Sequence, residues 1–403
     1  MILPFVAMEP KNGERPQRDP NVLLKLAYFT TDNGGCSYYR SMLPLDTAYA
    51  LKLANVMRVE KGASPDRAGE AFSGADVVTF PRIAAGPQML AIIAELKKDG
   101  KLVAADYDDN IWAVTPLSHH YQDYGTEEYT HTMVDGKKVP VWKDGEKGFS
   151  IKRNRERLVQ VEQALAMVDL VTTTTEPLAG VLRQYARHVE VLPNAVDLNR
   201  WKPIALKPHD EFRLFWAGGA SHFEDWNMLR PVLPAVMAQF PQVKLVLMGS
   251  KFDWILSDIP ATRIEFHPWE DNLSYPYKCA MLGADLAIIP LIDNEFNRSK
   301  SALKLLEQAA LGVPSVVSNV GPYADAYNGE NAVMVDDNDK DAWIDAIATM
   351  IEQPLLRARI AGNAQRWAEG YDIKKRAQDW VNVYRDHLLR KEIPCLSHSQ
   401  ATS

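Results

Sequence analysis

Cysteine is scarce in this 403-residue chain: only Cys36, Cys279 and Cys395, widely spaced. An odd number at such separations builds neither a disulfide framework nor a zinc-ligand pattern, so a reducing compartment is expected. Long apolar runs are lacking too, and no window approaches the roughly 18 uninterrupted apolar residues that a membrane span requires. The opening "MILPFVAMEP" has a short apolar stretch and no charged leader, unlike a secretory signal. Together these absences predict a cytoplasmic protein without stable membrane insertion. Positive charge is not in excess either: the formal net charge is −7, which argues against a mainly electrostatic nucleic-acid binder. There is no internal repeat and no low-complexity tract.

What is present is alternation. Short apolar runs such as "VLLKLAYFT" (22–30), "ADVVTF" (75–80) and "KLVAADY" (101–107) are separated by helical periods over about 38–54, 86–98 and 152–167. A second series follows, with "FRLFWAG" (212–218), "VKLVLMG" (243–249), "ADLAIIPL" (284–291), "PSVVS" (314–318) and helices expected over 223–239 and 301–311. Short buried strands alternating with helices predict parallel sheets covered on both faces, here two doubly wound Rossmann-like α/β domains. The break falls in "PNAVDLNRWKPIALKPHDE" (193–211), where prolines and mixed charge interrupt the pattern. We therefore expect a first domain over 1–198, a second over 199–373, a helix over 374–392 returning across the junction, and a polar tail over 393–403. "EEYTHTMVDGKKVPVWKDGEKG" fits neither series and reads as a hairpin insertion at about 125–150 with Asp-Gly at both turns.

The stretch with the sharpest chemical content is "NRSKSALKLLEQAALGVPSVVSNVGPY" (297–323). Arg298, Lys300 and Lys304 crowd the expected start of a helix, where the backbone dipole is positive and cations are least favoured. On a helical wheel Lys300, Lys304 and Glu307 share one polar stripe, opposite an apolar face. A solvated helix with a Lys304–Glu307 pair is the plain alternative, worth a few tenths of a kcal/mol. The position after a buried strand favours a ligand, because open α/β sheets bind anions at strand carboxyl ends and helix N-termini. A diphosphate would neutralise both lysines.

"KSALKLLEQAALGVPSVVSNVG" resembles the signature of retaining glycosyltransferases of the two-domain GT-B fold, the sucrose- and glycogen-synthase-like family. "VEVLPNAVDLNRW" is similar to that family's run at the domain junction. The resemblance covers most of residues 165–390 and is weak over 1–160. It implies that Glu307 binds the ribose of a nucleotide-sugar donor, here a UDP- or GDP-sugar; from charge alone, Lys300 and Lys304 are assigned to the donor phosphates, Lys300 as the catalytic group, with Ser301 beside them in the donor site. It also implies same-face transfer with retention, needing neither a protein nucleophile nor a metal. Two departures stand out: Ser299 occupies the place of a second glutamate, and "FWAGGASHFEDW" lacks the family's Arg and Lys in the first strand-loop of the nucleotide domain.

Other stretches supply candidates. Gly218 and Gly219 permit close approach of backbone to phosphate, or simply make a tight turn; His222 and Asp225 lie on the turn that follows. "EFHPWEDNLSYPY" resembles in position the family's nucleobase slot, which would assign Phe266 and Trp269 to the base, with ordinary core packing as the alternative. In the first domain "TTDNGGCSYYRS" offers Gly35 and Arg40 on the acceptor side, while "AADYDDNIW" crowds Asp106, Asp108 and Asp109 at a strand end. An Asp-x-Asp pattern suits Mg²⁺ or Mn²⁺ in the other major glycosyltransferase fold, but that fold does not have two full α/β halves. Asp108 and Asp109 are assigned a catalytic, acceptor-side role. Adjacent His119 and His120 make poor metal geometry. The basic hairpin with Trp142 is either a solvated face or a grip on an anionic acceptor, a polysaccharide or modified DNA. The expected activity is sugar transfer from a nucleoside diphosphate; a sugar-nucleotide epimerase and a non-catalytic binding protein are the alternatives.

Overall fold

A computed structural model describes residues 22–30, 34–83, 86–132, 137–207 and 209–392. The terminal tail over 393–403, Cys395 and the hairpin turn expected at Asp135–Gly136 lie outside these residues. Fourteen strands are seen among the described residues. In the first half they are β1 (Leu24–Thr30), β2 (Ala54–Glu60), β3 (Val77–Pro81), β4 (Leu102–Tyr107), β5 (Tyr129–Thr132), β6 (Lys138–Trp142), β7 (Leu170–Thr173) and β8 (Val189–Val191). The second half contributes β9 (Phe212–Gly218), β10 (Val243–Gly249), β11 (Ile264–His267), β12 (Leu286–Ile289), β13 (Ser315–Ser318) and β14 (Val333–Val335).

Two all-parallel six-stranded sheets result, ordered β2-β1-β3-β4-β7-β8 and β11-β10-β9-β12-β13-β14, while β5 and β6 pair antiparallel. Central strands β3, β4, β12 and β13 are buried at every residue, as expected when helices cover both faces. β2 and the helix Pro65–Gly74 escape the sequence pattern because β2 is an edge strand with a largely exposed or half-exposed side. The helix expected over 223–239 is broken into Phe223–Asn227 and Val232–Gln239, with Pro231 capping the second piece.

The strand order reverses between β1 and β3 in the first sheet and between β9 and β12 in the second. At such points neighbouring crossovers leave opposite faces and open a crevice beyond the strand ends. The two crevices face each other. The chain crosses between the sheets through residues 192–211 and returns at Tyr371–Ile373. There the Val196 N–H donates to Tyr371 O (3.0 Å), and the Ile373 N–H donates to Val196 O (2.9 Å). The final helix, Ile373–Glu392, runs back over the first sheet: His387 meets Glu190 at 2.9 Å, and Lys391 meets Asp169 at 2.7 Å. Trp201 and Trp380 are fully buried in one apolar cluster spanning the junction. Among the described residues no helix is long and apolar enough to cross a membrane.

Candidate functional site

Between the facing crevices lies a cavity of about 430 Å³. Its second-domain wall begins where β12 ends. A short helix, Glu295–Arg298, precedes an irregular turn, and the helix Leu303–Ala310 starts only after Lys300 and Ser301. This corrects the expected helix over 301–311 and separates the three cations. Arg298 turns outward and pairs with Asp293 at 2.5 Å on the exposed surface, because it ends the preceding helix. Lys300, Ser301, Lys304 and Glu307 all line the cavity. The Lys300 ammonium lies 4.9 Å from the Phe296 ring centroid and has no carboxylate within ion-pair range among the described residues. Lys304 donates to Ala217 O at 3.1 Å, and burial lowers its pKa.

Glu307 is buried and already engaged. The Tyr39 hydroxyl, from the opposite domain, donates to Oε1 at 2.7 Å, and the Tyr275 hydroxyl lies 3.4 Å from Oε2. Burial pushes its pKa up to about 7, against the opposing pull of Lys304 and the two phenols. Ser299, in the place of the second glutamate, is buried against Asn110 Nδ2 at 3.4 Å.

β9 ends at Gly218, and the following turn carries His222 to the cavity wall. Gly218 and Gly219 do not line the cavity themselves, but Gly218 packs behind Lys304. Asp225 is buried behind His222, its Oδ2 2.7 Å from Nδ1. Trp269 lines the cavity with its ring stacked 5.1 Å from Tyr275 and about half its surface exposed. Gly249 lets this ring come close: its φ is +99°, and a side chain there would meet Gly218 O and Trp269. Phe266, placed beside Trp269 by the sequence, instead sits exposed on edge strand β11, outside the cavity lining.

The first-domain wall comes from the helix after β1, which contains a π-helical turn at Tyr38–Met42. Such turns are frequent at functional sites; here Tyr39 and Arg40 are both buried and line the cavity. Gly35 and Arg40 line the cavity. The Arg40 guanidinium, however, is fully engaged: two 2.9 Å bonds to Asp106, with Leu192 O at 2.6 Å and Asn194 Oδ1 at 3.0 Å. It is therefore a structural cross-link and offers little free charge to an acceptor.

Arg82, which no sequence pattern picks out, follows β3 in left-handed backbone conformation (φ 44°). It bridges Asp108 at 2.9 Å and, more closely, Asp109. Burial raises both carboxyls; at Asp108 the guanidinium outweighs that and leaves its pKa low, while at Asp109 burial and the Asp108 charge leave it high. Cys36, Asp108 and Asp109 bring ligand atoms within 4.8 Å of one another, a spacing a metal ion can use. Arg82 already supplies that cluster's compensating cation. His120 also lines the cavity, its pKa lowered to about 4 by burial, His119 and Arg82. Trp142 lies away from the cavity: it packs near Tyr121 and Phe149 and donates to Pro116 O at 2.6 Å. Its hairpin is thus anchored by the tryptophan rather than presenting it as a free platform.

Residues that the sequence reading passed over are Arg82, Tyr39, Tyr275 and Asn194. Asn194 donates to Ser301 Oγ at 2.9 Å across the junction. The tyrosines stood in motifs already singled out, but their partners lie far away in sequence.

Residues 211–353 match the family model described as "Glycosyl transferases group 1". Curated relatives include a D-inositol 3-phosphate glycosyltransferase of Rhodococcus jostii (strain RHA1), 24% identical over 258 residues, covering 57% of this chain and 55% of the relative. A glycogen synthase of Mycobacterium tuberculosis (strain H37Rv) is 26% identical over 208 residues, 49% of this chain and 48% of that one. The chain thus spans about half the length of the curated relatives it matches. Among solved structures, sucrose-phosphate synthase from Thermosynechococcus elongatus superposes with a TM-score of 0.60 at 16% identity, covering 90% of this chain and 98% of that one. Anabaena Alr3699/HepE in complex with UDP and glucose gives 0.58 at 15% identity, covering 90% and 99%. The second half of the chain therefore contains a glycosyl transferases group 1 domain, and the whole has the two-domain GT-B fold.

Proposed function

We propose that the protein transfers a sugar from a nucleoside diphosphate to an acceptor that enters from the first domain. The observation carrying this reading is the pair of ammonium groups, Lys300 and Lys304, at the strand-order reversal of the second sheet. One has no ion-pair partner among the described residues, and the other is half-buried against a carbonyl. Two cations lining one concave site favour an anion with two charges.

In this reading the diphosphate lies against Lys300, Lys304, His222 and the turn after Gly218–Gly219. Charge that develops as the sugar–phosphate bond breaks meets groups already oriented toward it. The ribose hydroxyls take over the Glu307 carboxylate from Tyr39, and the base stacks on Trp269. Attack by the acceptor hydroxyl on the same face, with retention, needs no protein nucleophile. Asp108 is held ionised by Arg82, and the more basic Asp109 faces the acceptor. UDP is bound in the solved HepE complex, which supports a UDP-sugar donor, and the assay below compares UDP- with GDP-sugars. In this reading the two ammonium groups take the phosphate charge and no metal is required.

Incubation with a panel of UDP- and GDP-sugars, with release of nucleoside diphosphate as readout, tests the proposal. Release should occur, should rise when a competent acceptor is added, and should fall at least about tenfold in Lys300→Ala, a loss of about 1.4 kcal/mol. Unchanged turnover in that variant places the donor site wrongly. Tight binding without turnover would favour the non-catalytic reading, for which the occupied Glu307 carboxylate is the supporting observation.

A further inference from the structure

His222 and Asp225 form a unit whose geometry exceeds what simple phosphate contact requires. The Asp225 carboxylate is 2% exposed and held on three sides. Its Oδ1 accepts from the Ile292 N–H at 2.8 Å and from Asn297 Nδ2 at 3.0 Å; its Oδ2 accepts from His222 Nδ1 at 2.7 Å. An ionised carboxylate only accepts, so Nδ1 carries the hydrogen and Nε2 keeps its lone pair. The ring packs edge-on against Trp216, centroids 6.3 Å apart, and has no other hydrogen bond among the described residues. Orientation and tautomer are thus both set, and the remaining nitrogen belongs to a side chain on the cavity wall.

The charges around this ring come from three elements. Asp225 is on its own helix, Lys300 on the turn after Glu295–Arg298, and Lys304 on Leu303–Ala310. The Tyr323 phenol also lines the cavity, and Glu224 is turned away to Thr115. Burial first, then the two ammonium groups, drive the imidazole well below its usual pKa. It is neutral in the empty cleft. A nucleotide sugar brings two phosphate charges, which offset the lysines' field at Nε2 and join the Asp225 carboxylate in opposing the burial that keeps the ring neutral.

We propose that His222, positioned by Asp225, binds a proton together with the donor: entry of the diphosphate draws a proton from solvent onto Nε2, and the imidazolium hydrogen-bonds a phosphate oxygen. The inference rests on the proposed donor site. It makes His222 a cation present only when phosphate is present, so the empty cleft avoids a third buried positive charge. The proton comes from buffer and is returned when the diphosphate leaves; no covalent bond is made or broken by this step.

Calorimetric titration with UDP-glucose and GDP-glucose at pH 7, in buffers of different ionisation heat, measures the linked proton. Nucleotide sugars have no phosphate group titrating near neutrality, so the ligand does not obscure the count. At pH 7 wild type should show net proton uptake, about one proton at His222 less the fraction that Glu307 releases as ribose takes its carboxylate, and its Kd should rise by up to about tenfold per pH unit above neutrality. His222→Gln, with an unchanged melting temperature, should bind more weakly without uptake, and Asp225→Asn should also lose most of it. Glu307→Gln, although it should bind the ribose more weakly, should take up about one full proton per donor bound, which separates His222 from the other near-neutral group in the cavity. Binding with no proton uptake in wild type, or uptake that persists in His222→Gln, overturns this inference and leaves the donor site standing. Failure of both nucleotide sugars to bind removes the donor site and this inference together. Should His222→Gln not fold, the pH dependence of the wild-type Kd decides: a flat profile overturns the proposal.

Discussion

Glu307 shows how a single buried carboxyl can oppose the fold it sits in. Its pKa is raised from 4.5 to about 7, chiefly by burial. A folded state that holds a proton more tightly than the unfolded chain loses stability as pH rises, here between the unfolded value and about 7. At about 1.4 kcal/mol per unit the loss approaches roughly 3 kcal/mol by neutral pH. Glu307→Gln should therefore gain stability relative to wild type as pH rises from 4.5 to 7, and the gap should then level off. Chemical denaturation of both proteins across that range checks this; a gap independent of pH would mean that Glu307 ionises normally. The result bears on function because a ribose needs the ionised acceptor, which the fold itself disfavours.

At the scale of elements, the turn between β9 and the following helix separates two adjacent glycines by role. A Cβ at Gly218 would stand 2.5 Å from the Trp216 ring and 3.2 Å from Lys304 Nζ, whereas at Gly219 it would meet nothing within 4 Å. Trp216 is buried and cannot yield. Gly218→Ala should cost about 1–3 kcal/mol and displace Lys304, while Gly219→Ala should leave stability within about 0.5 kcal/mol. Equal melting temperatures for the two variants would contradict this packing. The sequence pointed to the pair through its strand–Gly-Gly–helix pattern, but pattern alone could not rank them. Helix limits show the same boundary between the legible and the illegible. The apolar stripe of Leu305, Leu306, Ala309 and Ala310 announced a helix, whereas Ser299–Ala302 follow a separate turn that periodicity cannot register. That is why Arg298 was grouped with Lys300 although the two side chains diverge.

For the whole molecule, alternation of strands and helices was enough to predict two doubly wound halves, and motif resemblance located the second-domain wall. The opposing wall was hardly legible. Arg82 touches Asp108 and Asp109 from a different strand end, and Tyr39 reaches Glu307 across 268 residues of sequence. Such pairings depend on strand order and domain closure, neither of which leaves a local pattern. Asn110 to Ser299, Thr115 to Glu224 and Asn194 to Ser301 also join the two walls. Tyr39→Phe removes the hydroxyl that competes with ribose for Glu307. We expect it to tighten nucleotide-sugar binding by roughly tenfold, the scale of one hydrogen bond to a charged group. Equal or weaker affinity in a fluorescence or calorimetric titration would show that this phenol does not stand in the ribose's place.

The backbone bridge between Val196 and Tyr371–Ile373 brings the outgoing and returning crossings side by side. Two linkers that are hydrogen-bonded to each other behave as one axle: the halves can pivot around it like the covers of a book, but sliding or twisting apart would tear the bridge. Because the final helix is fastened to the first half, any swing about that axle would carry the spine along and bring the jaws back in the same register.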